Sequence, residues 1–321
     1  MKTKFFRKIK QRINDILSVW SVAGFSKVYE LVIIPHCGSK KTAIKRQIFK
    51  REIIMGVLRR KYASFISQQT KVFKQEQFTP QAPIWVCWWQ GETAMPPIVK
   101  TCYQSLLCNS HNHPVHLITK ENIKNYIQLP SYIIKKVEQK RITFTHLSDI
   151  IRMTLLYEYG GLWVDATVYV SRPIPEEIFQ NSFFTLAPRT QNTTNISNAR
   201  WTGFLIGGFR HGMLFQFARN FLFEYWKQEN RLLDYFLIDY IIALAYETKT
   251  EIAHKIDSLP TSHTTINQLA ELLNQPYDPV IFNQLNESLI FHKLSYKQSL
   301  YTTTIDQKET FYKHLLAKFC A

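Results

Sequence analysis

The chain has 321 residues, 45% of them apolar, with a formal net charge of +16. That length can bury a large core in one or two domains, and the apolar share is ordinary for a globular protein. The five cysteines (Cys37, Cys87, Cys102, Cys108, Cys320) are odd in number and lack metal-type spacing, which fits a reduced, cytosolic compartment.

The charge is uneven along the chain. Residues 1–74 hold 18 Lys/Arg against 3 Asp/Glu, a balance of +15, and the remainder is near neutral at +1. An anionic partner is therefore expected for the first segment alone. Phe5, Ile9, Ile13, Ile16, Leu17 and Trp20 recur at helical spacing, with Lys4, Arg7, Lys8, Lys10 and Arg12 between them. A second run sets Ile44, Ile48, Ile53 and Val57 against Lys45, Arg46, Lys50 and Arg51. No uncharged window reaches the roughly 18 residues of a membrane span. The best stretch, residues 13–34, is broken by Asp15, Lys27 and Glu30. No compact apolar core with a small-residue cleavage site marks a signal peptide.

Residues 1–78 are thus expected to form a basic amphipathic helical extension. Residues 1–74 would lie on an anionic membrane surface, which implies a cytoplasmic protein peripheral on the inner face of the membrane. The alternative is that these helices pack on the body with a solvated basic face. No motif supports a nucleic-acid partner.

Residues 79–321 form the expected body. Residues 75–83 read as a linker, and 84–89 as a first core strand followed by the turn-like Gln90-Gly91. Pro96-Pro97 opens a helix through Leu106. A strand is expected over 115–118, with helices over 121–126 and 131–138. This alternation predicts a mostly parallel sheet flanked by helices. From Phe204 onward the pattern is mainly helical, over 213–228, 232–246 and 265–273. Ligands of such sheets sit beyond the carboxyl ends of the strands, where Trp88, Trp89, Gln90 and Asp165 fall.

The richest stretch runs from Thr145 to Thr167. Thr145 can cap a helix whose buried stripe is Leu147, Ile150, Ile151 and Leu155, and Gly160 can end it. Asp149 and Arg152 share a face, either as an ordinary ion pair or as part of a strand-end cleft. Leu162-Trp163-Val164 reads as a buried strand ending on Asp165. A carboxylate there must be paired, hydrated or metal-bound, and its oxygen suits Mg²⁺ or Mn²⁺. Such a layout suits a nucleotide diphosphate.

The segment THLSDIIRMTLLYEYGGLWVDATVYV resembles the core motif of the DXD-type sugar transferases, SDxxRxxxLxxxGGxYxDxD. IWVCWWQGE resembles the first strand of the bacterial capsular polysaccharide synthesis proteins within that group. The likeness covers roughly residues 80–300. It implies a GT-A-like α/β fold, a nucleotide-sugar donor, a glycan or lipid-linked glycan acceptor, and retention of anomeric configuration. Residue by residue, it implies that Asp165 contacts metal and ribose and that Asp149 and Arg152 hold the donor sugar. Trp89 would stack on the base beside Trp88 and Gln90. His292 in FHKLSYK matches a late His that reaches the metal, with Ser295 and Tyr296 following on the donor side.

One position departs from the motif. The second acid is Thr167, so Mn²⁺ or Mg²⁺ affinity is expected to be weak or absent. Asp239 is the first candidate to replace it, and Asp234 the second. The Asp and Tyr residues of that helix can equally serve as caps and hydrogen-bond partners. Lys293 or Lys297 would assist the leaving diphosphate, and residues 200–203 would line the acceptor cleft. Two rival readings remain: a metal-dependent phosphotransferase of polymer synthesis, and a non-catalytic membrane-bound partner of a polysaccharide synthase.

Overall fold

A computed structural model describes residues 2–33, 43–69, 74–190, 194–262 and 264–319. Cys37, Cys320 and the side chains of residues 2–10 lie outside that description. The apolar run after the linker forms β1 (Ile84–Cys87), followed by the Pro97–Asn109 helix and β2 (Val115–Ile118). The Ser131–Glu138 and Phe144–Tyr159 helices then lead to β3 (Gly161–Val164). The remaining strands are β4 (Val168–Val170), β5 (Phe183–Thr185), β6 (Leu205–Gly208) and β7 (Phe291–Lys293).

Five strands form the central sheet in the order β2-β1-β3-β6-β5. β1 pairs parallel with β2 and β3, and β6 pairs antiparallel with β3 and β5. Only β6 therefore runs against the other four. A separate antiparallel pair joins β4 to β7, with Val168 opposite Lys293 and Tyr169 opposite His292.

Strand alternation sorts the sheet residues onto two faces. Trp85, Trp163 and Ile206 face one core with the Phe144–Tyr159, Met213–Gln228 and Leu237–Thr248 helices. Ile84, Val86, Leu162 and Val164 face a second core with the Pro97–Asn109 helix, β4 and β7. Helices on one side and helices plus a small sheet on the other give a layered α/β architecture.

The Gly160-Gly161 pair has a steric reason. Both residues have positive φ, +70° and +92°. A Cβ on Gly161 would lie 2.0 Å from the Pro83 carbonyl oxygen, and one on Gly160 would lie 2.5 Å from the Arg210 nitrogen. The helix thus turns into β3 within two residues, and Trp85 Nε1 donates to the Gly160 carbonyl at 2.9 Å. At the other end of this helix the cap is Thr143, not Thr145: the Thr143 hydroxyl accepts from the His146 N–H at 3.3 Å.

The basic segment is helical over Lys2–Ala23 and Ala43–Lys61. Ile54, Met55 and Leu58 join the same core cluster as Trp226. Lys50, Arg59 and Lys61 pair with the body acids Asp234, Glu247 and Glu229. Trp20 (54%), Phe25 (72%) and Tyr29 (65%) stay exposed. Among the described residues no helix is long and apolar enough to cross a membrane.

Candidate functional site

A cleft of about 620 Å³ opens at the carboxyl ends of β1 and β3. Trp88, Trp89 and Gln90 line it from the turn after β1. Asp149 and Arg152 enter from the Phe144–Tyr159 helix, Asp165 and Thr167 from the turn after β3, and Asp239 from the Leu237–Thr248 helix. Lys293, Ser295, Tyr296 and Lys297 close it from β7 and the loop beyond. Residues expected from five separate stretches of sequence thus share one cavity.

Its floor is a continuous polar network. Arg152 Nη1 donates to Asp149 Oδ1 at 2.9 Å, and Nη2 donates to Asp165 Oδ1 at 3.1 Å. The same Asp165 oxygen accepts from Trp163 Nε1 at 2.9 Å. Lys293 Nζ donates to Asp165 Oδ2 at 2.8 Å and to the Thr167 hydroxyl at 2.7 Å. Burial would raise the Asp165 carboxyl, but Lys293 and Arg152 outweigh it and hold it below the usual carboxylate range.

The Asp149–Arg152 pair is no ordinary surface ion pair: its side chains are 10% and 6% exposed. Arg152 also stacks over Trp163, 4.9 Å from the ring centroid. Behind it lies a support that sequence reasoning missed. Trp226 Nε1 donates to His146 Nε2 at 2.8 Å. That assigns the N–H of the ring to Nδ1, which faces Asp149 Oδ2 at 3.5 Å. The available signal was His146 itself, a polar residue three positions before Asp149 and so on the same helix face.

Asp239 stands on the cleft wall, and its Oδ1 accepts from Trp201 Nε1 at 3.0 Å. Burial pushes its carboxyl up to about 6, with the Asp149 charge adding to the effect. Asp234 instead pairs with Lys50 on the N-terminal segment at 2.6 Å. The expected acceptor strip, residues 200–203, is corrected by the structure. Trp201 is buried at 2% exposure, and Arg200 stacks on Tyr246 at 4.0 Å. The Thr202 N–H is tied to the Thr185 hydroxyl, so only Gly203 of this strip reaches the cleft. Burial also pushes the Cys87 thiol up to about 12, so it is not poised as a nucleophile.

The aromatic wall is made by Trp88 and Trp89. Trp88 meets Tyr296 edge-on at 5.5 Å, and Trp89 lies 6.1 Å from the Phe144 ring. Trp88 Nε1 is buried with no acceptor among the described residues.

A family model described as capsular polysaccharide synthesis protein matches residues 36–315. The chain belongs to that family. The match starts inside the basic segment and takes in both the cleft and the Ala43–Lys61 helix. An O-glycosyltransferase, braB, of Annulohypoxylon truncatum is 25% identical over 107 residues, which is 30% of this chain. The chain spans only 25% of the length of that relative. Among solved structures, the PaToxG glycosyltransferase aligns with 64% of this chain and 83% of its own, at 10% identity and a TM-score of 0.35. A likeness that remote assigns nothing.

In this member of the family the expected Mn²⁺ or Mg²⁺ site is a poor fit. Both Asp165 oxygens and the Thr167 hydroxyl already accept from cationic or N–H donors. His292, expected as a second ligand, is fully buried and lies against Tyr169, its partner across the β4–β7 pair. Strand alternation sends Lys293 to the cleft and His292 into the core. Burial pushes the His292 ring down to about 4. Among the described residues no group of three or more His, Cys, Asp or Glu could hold a metal ion.

Proposed function

We propose that this chain is a glycosyltransferase of the hexosyl type that moves a sugar from a nucleotide-sugar donor to a capsular or other cell-surface polysaccharide. The observation that carries this reading is the Asp149–Arg152–Asp165 network on the floor of a cleft walled by Trp88 and Trp89. In this reading Trp89 stacks on the base. Asp149 and Arg152 orient the donor sugar, and Lys293 and Lys297 meet the charge that builds on the departing diphosphate. Asp239, with one oxygen held by Trp201, binds a sugar hydroxyl.

Retention of configuration and a GT-A arrangement are part of this proposal. They rest on the resemblance around Thr145 to Thr167 and on the pairing of Asp149 and Asp165. Both are locked to cations and so are poor general bases for an inverting attack, and the third cleft carboxylate, Asp239, is assigned here to a sugar hydroxyl.

A second cavity of about 920 Å³ supports an anionic or lipid-linked acceptor. It lies between the Lys2–Ala23 helix and the body and shares Thr145 and Tyr235 with the cleft. Lys140, Arg141 and Arg231 line it together with Lys50, and of its two acids, Asp15 and Asp234, the second is held by Lys50. The exposed Trp20, Phe25 and Tyr29 on a basic segment support attachment to the inner face of the cytoplasmic membrane.

The test is donor turnover by the purified chain. Wild type should release nucleoside diphosphate from one class of nucleotide sugar, and Asp165→Asn should lose that activity while keeping its fold. Release of a nucleoside monophosphate would point to a phosphotransferase. An Asp165→Asn variant as active as wild type would remove the assignment.

A further inference from the structure

Resting on the sugar-transfer reading, we propose that the Lys293 ammonium takes the place of the divalent cation, so the chain binds and activates its donor diphosphate without metal. The geometry is that of a filled cation site. Lys293 Nζ lies 2.8 Å from Asp165 Oδ2 and 2.7 Å from the Thr167 hydroxyl, the two side chains at the first and third positions of Asp165-Ala166-Thr167. Its placement is built in. Lys293 is opposite Val168 in the β4–β7 pair, and the Leu294 N–H donates to the Thr167 carbonyl at 2.8 Å. The β7 backbone is therefore fixed to the same turn that carries Asp165 and Thr167.

The charges balance in the same way. Two carboxylates and a dication sum to zero, as do one carboxylate and one ammonium. Thr167 in place of an acid and Lys293 in place of a dication are compensating changes. A hydroxyl accepts a hydrogen bond from an ammonium readily, whereas it is a poor ligand for Mg²⁺. Arg152 adds a second fixed cation on the other oxygen of Asp165.

In transfer, the bond between the anomeric carbon and the diphosphate oxygen breaks, with its electron pair going to that oxygen. The acceptor hydroxyl oxygen bonds to the carbon as its proton passes to the departing diphosphate. Lys293 then shares its three donors between the Asp165–Thr167 pair and the diphosphate oxygens, which concentrates positive charge where negative charge grows.

The experiment is calorimetric binding of UDP, GDP, dTDP and ADP to the full chain, in EDTA and in Mn²⁺, with Lys293→Met alongside. The expected result is one nucleotide whose affinity is the same in EDTA and Mn²⁺ within about twofold, and is about 10- to 100-fold weaker in Lys293→Met. A Thr167→Asp/Lys293→Ala double variant should bind that nucleotide only with Mn²⁺. Wild-type binding that requires Mn²⁺ would overturn the proposal and leave sugar transfer standing. Nucleotide affinity unchanged in a folded Lys293→Met would overturn it as well. No binding of any diphosphate, with or without Mn²⁺, would remove the sugar-transfer reading and this one together. Should Lys293→Met fail to fold, the comparison of EDTA with Mn²⁺ on wild type still decides.

Discussion

Asp239→Asn should make the protein more stable above pH 6 and less active. Burial lifts this carboxyl from 3.8 to about 6 in the native state. A rise of about 2 units corresponds to about 3 kcal/mol. Because the native pKa is raised, the native state holds this proton more tightly than the unfolded chain. Its stabilising effect is complete below the unfolded pKa and is lost as pH rises through about 6. Above that, wild type carries the cost of ionising a half-buried carboxylate on the cleft wall. Asparagine has the same shape and no charge, and its Oδ1 can still accept from Trp201. Urea unfolding of both proteins across pH should therefore show a gain that grows from under about 1 kcal/mol near pH 4 to at most about 3 kcal/mol near pH 8, less where cleft water screens the charge. Donor turnover should fall in the same variant, since the residue lines the cleft. Equal stability near pH 8, or a less stable Asn variant, would refute the claim that burial governs Asp239.

Trp89→Ala should weaken nucleotide binding about 10- to 100-fold by calorimetry, the usual worth of one base stacked on an aromatic ring. Gly161→Ala should destabilise the fold by about 3 kcal/mol and lower the melting temperature, because φ is +92° and the new Cβ meets the Pro83 carbonyl at 2.0 Å. Trp20→Ala/Phe25→Ala should reduce sedimentation with anionic vesicles about tenfold or more while leaving the melting temperature unchanged, since both rings are over half exposed. Equal vesicle binding would remove the membrane role of this face.

What could be read in the sequence follows from length and pattern. The 131–138 and 213–228 helices carry enough turns for their apolar stripes to show, and their bounds match the structure. β1 and β3 are continuous apolar runs, and β2 is apolar except for His116. β6 was hidden because two of its four residues, Gly207 and Gly208, have no strand preference. Gly207 is there because its Cβ would lie 2.4 Å from the Gly161 carbonyl in the neighbouring strand, a contact between segments far apart in the chain. β7 has three residues, too few for a period.

That short strand also explains the largest misreading at the site. Without the register, nothing decides whether His292 or Lys293 faces the cleft, and the resemblance favoured the histidine. Pairing with β4 gives the cleft to Lys293. Trp201 misled for a similar reason: a tryptophan beside an arginine suits sugar stacking, but here it is a buried donor to Asp239. Asp149, Arg152 and Asp165 were legible because a helix, a glycine turn and a strand follow one another directly, so local geometry alone brings them together.

The central claim is that this cleft holds a nucleotide sugar. Its most direct test is the thermal stability of wild type and Asp165→Asn against UDP-, GDP-, dTDP- and ADP-sugars. A donor at about 100 times its dissociation constant should stabilise wild type by about 2.7 kcal/mol. The account predicts a shift with one nucleotide class that disappears in Asp165→Asn. No shift with any donor, or an equal shift in Asp165→Asn, would contradict it.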